Sequence, residues 1–369
     1  MPKIHWTIEY EVKGMANRFT HILRAPHQVS FDITNKCNLR CLHCFNSSGE
    51  NDVVKNELSD EEVLSFIRSL VPMQLYNVCF CGGETLIRKD LLCKCIKELK
   101  PSGTHCSMVT NGILATDETI MELEQSGLDA IQFSLDGMEA AHDKLRNKTG
   151  VYASVMRAIH FVINNTNLHL SIAFTPTNFN LDDFEIVYEE LAQIWKNSKR
   201  VKTGDYIELR LQPLMLLGRA KNNLGIVPTD DQYRRLVQLI REREAYRYSK
   251  SIDVKWGDPI DHLIRFKDNN NFLDQAIVHA NGDIVVSAYL PIVVGNINKH
   301  SLSDYWNHGL NDIWSKRVIQ YLVSRMQSIH DMEELTDTIA DINMDNGLSF
   351  DLMECDLDDL NLIKEVLLS

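Results

Sequence analysis

Three cysteines fall within eight residues, Cys37, Cys41 and Cys44 of the run CNLRCLHC, at a C-x3-C-x2-C spacing. Three thiolates on one short loop can hold three corners of an iron–sulfur cluster, or three positions of a tetrahedral zinc ion. Structural zinc needs a fourth ligand, and His43, His21 and His27 lie close in sequence. A cluster with one iron left open needs none, and an open position can take a substrate or cofactor. The residues alone leave both readings standing. The other cysteines are Cys79, Cys81, Cys93, Cys95, Cys106 and Cys355, and the odd total of nine fits poorly with a disulfide framework. Cys79 and Cys81 lie on a predicted strand and are read as pointing to opposite sides. Cys93 and Cys95 are two apart on a predicted helix and share no face. Cys106 lies in an apolar strand. Those five read as small buried hydrophobes.

The elements that would position the three thiols alternate strand and helix. VSFDI (29–33) reads as a strand and SDEEVLSFIRSL (59–70) as a helix, with Ser59 as N-cap and Glu62 completing a capping box. Then follow strand NVCFCG, helix KDLLCKCIKELK, strand HCSMVT, helix DETIMELEQSG, strand AIQFSLD, helix VYASVMRAIHFVINN, strand LHLSIAFT, helix LDDFEIVYEELAQIWKN and strand YIELRLQP. Roughly six β/α units by residue 215 predict a parallel sheet wound into a full or partial barrel. Ligands of such sheets bind at the C-terminal ends of the strands. CNLRCLHC, GGE, TNG and SLDG all fall at such ends.

The whole chain sets limits on partners. A length of 369 residues with 44% hydrophobic and 24% charged residues can bury a sizeable core. A net charge of −13 argues against a dedicated nucleic-acid binder. The N-terminus, MPKIHWTIEYEVKGMANRF, is charged throughout and is not a signal peptide, and no run is long enough to span a membrane. A cytoplasmic location is expected, where clustered thiols stay reduced and serve metals or chemistry.

With these marks in order, the chain resembles the radical S-adenosylmethionine (radical SAM) superfamily. The cysteine motif follows the first strand. CGGETL (81–86) is similar to the family's Gly-Gly-Glu motif, TNG (110–112) to the end of its third strand, SLDG (134–137) to its fourth, and QPLMLLGRA (212–220) to its sixth-strand Gly-Arg-Ala feature. The resemblance covers residues 28 to about 220. It implies that Cys37, Cys41 and Cys44 ligate one [4Fe–4S] cluster, whose fourth iron chelates S-adenosylmethionine. It also implies reductive cleavage to a 5′-deoxyadenosyl radical, which abstracts hydrogen from a substrate, with an electron donor such as flavodoxin or ferredoxin. By the same resemblance Gly82 and Gly83 let the backbone approach the methionine part, Glu84 accepts from its ammonium, Arg146 reaches its carboxylate, Ser134 is a polar contact, and Asn111 and Thr175 touch ribose or adenine. Two departures stand out. His43 replaces the aromatic residue before the third cysteine and is not expected to be a ligand. Thr85 replaces the proline after Gly-Gly-Glu and is expected to loosen the turn.

The later residues read as an extension. DDQYRRLVQLIRERE is a charged helix, NGD is a hairpin turn, SLSDYWNHGLNDIW looks helical, and residues 330–369 form an acidic helical tail. VHANGDIVVSAYLPIVVGNINKHSLSDYW resembles the SPASM or twitch extension of peptide-modifying radical SAM enzymes. Ser287 stands where the first auxiliary-cluster cysteine is expected, so the extension is predicted without auxiliary clusters. Cys355 alone remains downstream and is a candidate hydrogen-atom donor. The expected organisation is an N-terminal extension (1–27), a partial (βα)6 TIM-like barrel (28–228), a SPASM-like extension (229–315) and a helical tail (316–369). The resemblance implies a ribosomally made precursor peptide as substrate, crosslinked, epimerised or oxidised. The alternative is a small molecule such as a sugar or nucleoside.

Overall fold

The structure is a computed structural model that describes residues 24–49, 56–200, 205–245, 252–257, 273–328, 331 and 349–359. The predicted N-terminal extension therefore lies largely outside the described residues.

Strands β1 (Gln28–Thr34), β2 (Asn77–Gly82), β3 (His105–Thr110), β4 (Ala130–Ser134), β5 (His169–Phe174) and β6 (Ile207–Leu211) pair in parallel, each with the next. Helices α1 (Asp60–Leu70), α2 (Lys89–Leu99), α3 (Asp117–Ser126), α4 (Glu139–Arg146), α5 (Val151–Asn165), α6 (Asp183–Lys196) and α7 (Asp230–Ala245) fall in the connections. The capping box of α1 forms as read: Glu62 N donates to Ser59 Oγ at 3.3 Å, and Ser59 N to Glu62 Oε2 at 2.8 Å. Val63, Phe66, Ile67 and Leu70 then fall on one face of α1 and are buried. Helix α4 was not read from the sequence. It is short and polar, and Asn147 ends it in the left-handed conformation at φ 57°.

Two further strands join the edges. β7 (Ile252–Trp256) pairs with β6, and β8 (Gln275–Val278) returns to pair with β1, both in parallel. β9 (Asp283–Ser287) and β10 (Leu290–Asn296) follow as antiparallel strands, completing one ten-stranded sheet in the order β10-β9-β8-β1-β2-β3-β4-β5-β6-β7. The extension thus belongs to the barrel's own sheet. Gly282, at φ 90°, makes the NGD turn. The β9–β10 tip reaches toward the far strands, where Gln212 Nε2 donates to the Tyr289 hydroxyl at 2.9 Å.

The two faces of the sheet differ. Val29, Phe31, Ile33, Val78, Phe80, Met108, Ile131, Phe133, Leu170, Ile172, Phe174, Ile207, Leu209 and Leu211 are all buried in the core. Most residues between them are polar or cysteine, Ser30, Asp32, Cys79, Cys81, Ser107, Gln132, Ser134, Ser171, Glu208 and Arg210, with Val109 and Ala173 as apolar exceptions. A filled TIM barrel packs layers of branched apolar side chains into its interior. Predominant alternation instead leaves a largely wettable inner face able to receive a polar ligand.

Against expectation, Cys79 and Cys81 do not point to opposite sides of the sheet. Residues two apart on a strand share a face, because the side-chain period is two. Their Sγ atoms stand 3.6 Å apart on the inner face, both half-buried. Cys95 and Cys106 are buried as read. The predicted helix over SLSDYWNHGLNDIW is broken: α8 (Leu302–Tyr305) continues as a wide turn until Gly309, whose φ of 110° ends it. In the tail, α9 (Arg317–Ser324) is helical, but residues 349–359 are turns rather than helix. They run beside β10, with Phe350 N donating to Val293 O at 2.8 Å. The rest of the predicted acidic tail lies almost wholly outside the described residues. Among those residues no helix is long and apolar enough to cross a membrane.

Candidate functional site

The cysteine loop leaves the C-terminal end of β1 and is braced from four directions. At its base Thr34 Oγ1 and Asn35 N donate to the Glu57 carboxylate at 2.9 and 2.7 Å. From the β2 end, Gly83 N donates to Thr34 O at 2.8 Å and Glu84 N to Lys36 O at 2.9 Å. From β4–α4, Leu42 N donates to Leu145 O at 2.9 Å. After β6, Arg219 Nε donates to Cys41 O at 3.1 Å, and Arg219 N to Cys44 O at 2.9 Å. The Gly-Arg-Ala segment is therefore a clamp on the loop. A Cβ on Gly218 would collide with Phe45 O.

Each sulfur of the three faces a nitrogen donor from a different place. Asn111 Nδ2 lies 3.9 Å from Cys37 Sγ, Arg146 Nη1 3.8 Å from Cys41 Sγ, and Ser48 N 3.4 Å from Cys44 Sγ. Donors aimed at sulfur favour thiolate over thiol. Burial works against them, pushing the Cys37 and Cys41 thiols up. A bound cation would resolve that conflict. The thiols are spread rather than converged: among the described residues, no three His, Cys, Asp or Glu side chains are grouped to hold a single ion. A cluster with irons at separate corners accepts such a spread, whereas one tetrahedral zinc does not. His43 keeps a buried Nδ1 without a partner, and burial lowers its pKa to about 3, so it stays neutral.

Behind Cys41 lies a buried charge pair. Arg146 Nε and Nη2 grip Asp136 Oδ2 at 2.7 and 2.6 Å. Burial raises the Asp136 pKa, but Arg146, His43 and His142 outweigh it and hold it below the usual range. His142 Nδ1 accepts from Asp136 N at 3.0 Å, and burial lowers its pKa to about 4.

The structure places the other predicted residues with more committed backbones than expected. The space that Gly82 and Gly83 leave open is taken by the backbone of Thr34 to Lys36, where a Cβ on either would collide. These glycines let the cysteine loop dock on β2. Glu84 is 1% exposed, and its carboxylate accepts from Thr110 Oγ1, Leu86 N and Asn111 N at 2.8, 3.0 and 2.9 Å. Asn111 Nδ2 reaches Asn38 Oδ1 at 2.8 Å. Thr175 N donates to Asp136 Oδ1 at 3.0 Å. Ser134 opens on the inner face at the end of β4. Thr85, expected to loosen its turn, fastens it: its hydroxyl donates to Val109 O at 2.7 Å. Ser287 is buried at the end of β9, its Oγ accepting from Tyr289 N at 3.2 Å. Cys355 sits on the segment beside β10, its N–H donating to Asp351 O at 2.7 Å.

Some site residues were missed. Asp136 and Arg219 stand within SLDG and GRA, so their motifs are the sequence signal for them. Glu57, Asn38 and Ser48 carried no sequence signal.

A partial barrel with three donor-supported thiols on one loop at its C-terminal end defines an α/β protein with a candidate cluster site. The profile of the Radical SAM superfamily matches residues 31–191, and the chain carries a radical SAM domain. Proteins of this family use a [4Fe–4S] cluster and S-adenosylmethionine, and the thiols and donors present here fit the cluster. The chain is 29% identical over 227 residues to Fe-coproporphyrin III synthase of Methanosarcina barkeri, covering 62% of this chain and 54% of that protein. It is 26% identical over 291 residues to the sporulation killing factor maturation protein SkfB of Bacillus subtilis, covering 76% and 64%. It thus spans about half to two thirds of those relatives. The fold is shared with Streptococcus suis SuiB bound to precursor peptide SuiA, at TM-score 0.61 and 14% identity, over 86% of this chain and 74% of SuiB.

Proposed function

We propose that the chain is a radical SAM maturase that abstracts hydrogen from a ribosomally synthesised peptide. The observation that carries the reading is the loop of Cys37, Cys41 and Cys44, each sulfur supplied with its own nitrogen donor. When bound, the cluster and S-adenosylmethionine supply a 5′-deoxyadenosyl radical by one-electron cleavage of the sulfonium. The chain's own residues hold that chemistry in place. Arg146 steadies the Cys41 sulfur while Asp136 fixes the guanidinium. Arg219 and the Gly82–Gly83 contact lock the loop. Ser134 and the open end of the inner face remain to meet cofactor and substrate. An electron donor such as flavodoxin or ferredoxin supplies electrons, and clustered thiols kept for a metal suit a cytoplasmic location.

The relative named as a maturation protein and the peptide-bound SuiB fold support a peptide substrate. The relative named Fe-coproporphyrin III synthase supports the second reading, a small molecule. Anaerobic reconstitution should give about four irons per chain, and dithionite with S-adenosylmethionine should release 5′-deoxyadenosine. Absence of both would overturn the radical reading. A mass change in a precursor peptide encoded nearby, after turnover, decides for the peptide. About eight irons or more would overturn the predicted lack of auxiliary clusters.

A further inference from the structure

Charges on the sheet's inner face are mostly spoken for. His279 Nδ1 pairs with Asp32 Oδ2 at 2.8 Å. Lys255 Nζ pairs with Glu208 Oε2 at 2.6 Å and Asp253 Oδ2 at 3.6 Å. Arg210 stands apart. It lies on β6, between β5 and β7, so its only open direction is the inner face. Its flanking residues Leu209 and Leu211 are fully buried on the opposite side. Yet Arg210 is exposed, and no carboxylate among the described residues pairs with it. Its charge is felt by Cys79 and Cys81 on β2, so the guanidinium faces the interior rather than the rim.

The neighbours of Arg210 shape a seat. Across the sheet the register runs Ser134, Ala173, Arg210, Lys255. Adjacent strands are about 4.8 Å apart, so Ser134 and Arg210 are about 10 Å apart, with only an alanine methyl between them. The Gln212–Tyr289 hydrogen bond edges this seat at the C-terminal end of β6. A guanidinium offers a planar fork of N–H donors that matches a carboxylate with two parallel hydrogen bonds. It costs little while water fills the seat, and gains when a ligand displaces that water. With Lys255 already claimed by two carboxylates, Arg210, which no carboxylate among the described residues neutralises, matches a singly charged group.

We propose that Arg210 anchors a substrate carboxylate, a Glu or Asp side chain of the peptide, seated over Ala173 on the side of the barrel that faces Ser134. The inference rests on the peptide reading above and deepens it by naming a side-chain class.

The cluster-reconstituted protein, without reductant, is treated with phenylglyoxal, and modified arginines are mapped by mass spectrometry. Two probes compete: N-acetylglutamate N-methylamide and its neutral glutamine isostere. Arg210 should be modified, and the glutamate probe should protect it about tenfold better than the glutamine probe. Equal protection by both, or none, overturns the proposal. Arg210→Gln should bind the glutamate probe about 10- to 100-fold more weakly, with Arg210→Lys recovering part of the loss. Undiminished binding by Arg210→Gln overturns it as well. The radical reading is tested apart from this, by 5′-deoxyadenosine from wild-type protein, because labelling needs no turnover.

Discussion

Two groups of cysteines lie close to the same end of the barrel and are served differently. On the loop after β1, each of three sulfurs faces its own nitrogen donor, two from distant segments (Asn111, Arg146) and one from the loop itself (Ser48 N). On β2, the sulfurs of Cys79 and Cys81 face each other at 3.6 Å. The first arrangement spreads negative charge and supplies hydrogen bonds to it. The second lets one thiol donate to its neighbour, easing the pair's first ionisation and opposing its second. What separates a cluster ligand from a strand thiol here is the supply of donors and the spread, more than the number of cysteines in a run.

The largest effect should come from breaking the first group. Cys41→Ala should abolish cluster retention, dropping iron from about four per chain to near background, and abolish 5′-deoxyadenosine release. Cys79→Ala should keep its iron. Equal iron loss in both would erase the distinction between the two groups.

Next is the buried pair behind Cys41. Arg146→Ala leaves Asp136, which is 0% exposed, as an unpaired buried carboxylate. Removing one partner of such a pair costs about 3–5 kcal/mol, read by urea unfolding of the apo protein at neutral pH. A loss under 1 kcal/mol would show that the pair only adjoins the loop. The sign with acid follows from the depressed Asp136 pKa. Its stabilisation is present above the unfolded pKa of about 3.9 and is lost as pH falls through the lower folded value.

His142 acts at milder pH. Burial lowers its pKa from 6.5 to about 4, so between these values the unfolded chain binds the proton that the folded chain refuses. Stability should therefore be full above pH 6.5 and fall as pH drops toward 4, by on the order of 3 kcal/mol. His142→Gln should flatten that part of the unfolding-versus-pH curve. An unchanged slope would assign it to other groups.

Much of this architecture is legible in the sequence because its signals are local. The strands of the barrel alternate apolar and polar residues, Ser59 and Glu62 sit at capping-box spacing, and the cysteine spacing declares itself. What stays hidden is set by distant contacts. Nothing in the sequence places Arg219 on the Cys41 carbonyl, or Glu57 under Thr34, since those partners meet only after the sheet winds. The glycines of Gly-Gly-Glu show the same limit. Their type reveals that a backbone comes close, but the backbone that comes close is the chain's own, at Thr34 to Lys36. Cys79 and Cys81 differ again: the period of a strand already places them on one face.

That pair supports the smallest and most discriminating test. Two thiols 3.6 Å apart on an open, half-buried face can be bridged by one trivalent arsenic atom, whereas spread thiols cannot. With the cluster in place and Cys37, Cys41 and Cys44 occupied, phenylarsine oxide should bind with a stoichiometry of about one per chain. Either Cys79→Ala or Cys81→Ala should remove that binding while costing only about 1 kcal/mol of stability, the net worth of one modest hydrogen bond. Binding that survives both substitutions would place the reactive pair elsewhere. Cys355 offers no substitute on geometry, since its segment lies beside β10, with β9 and β8 between that strand and β1.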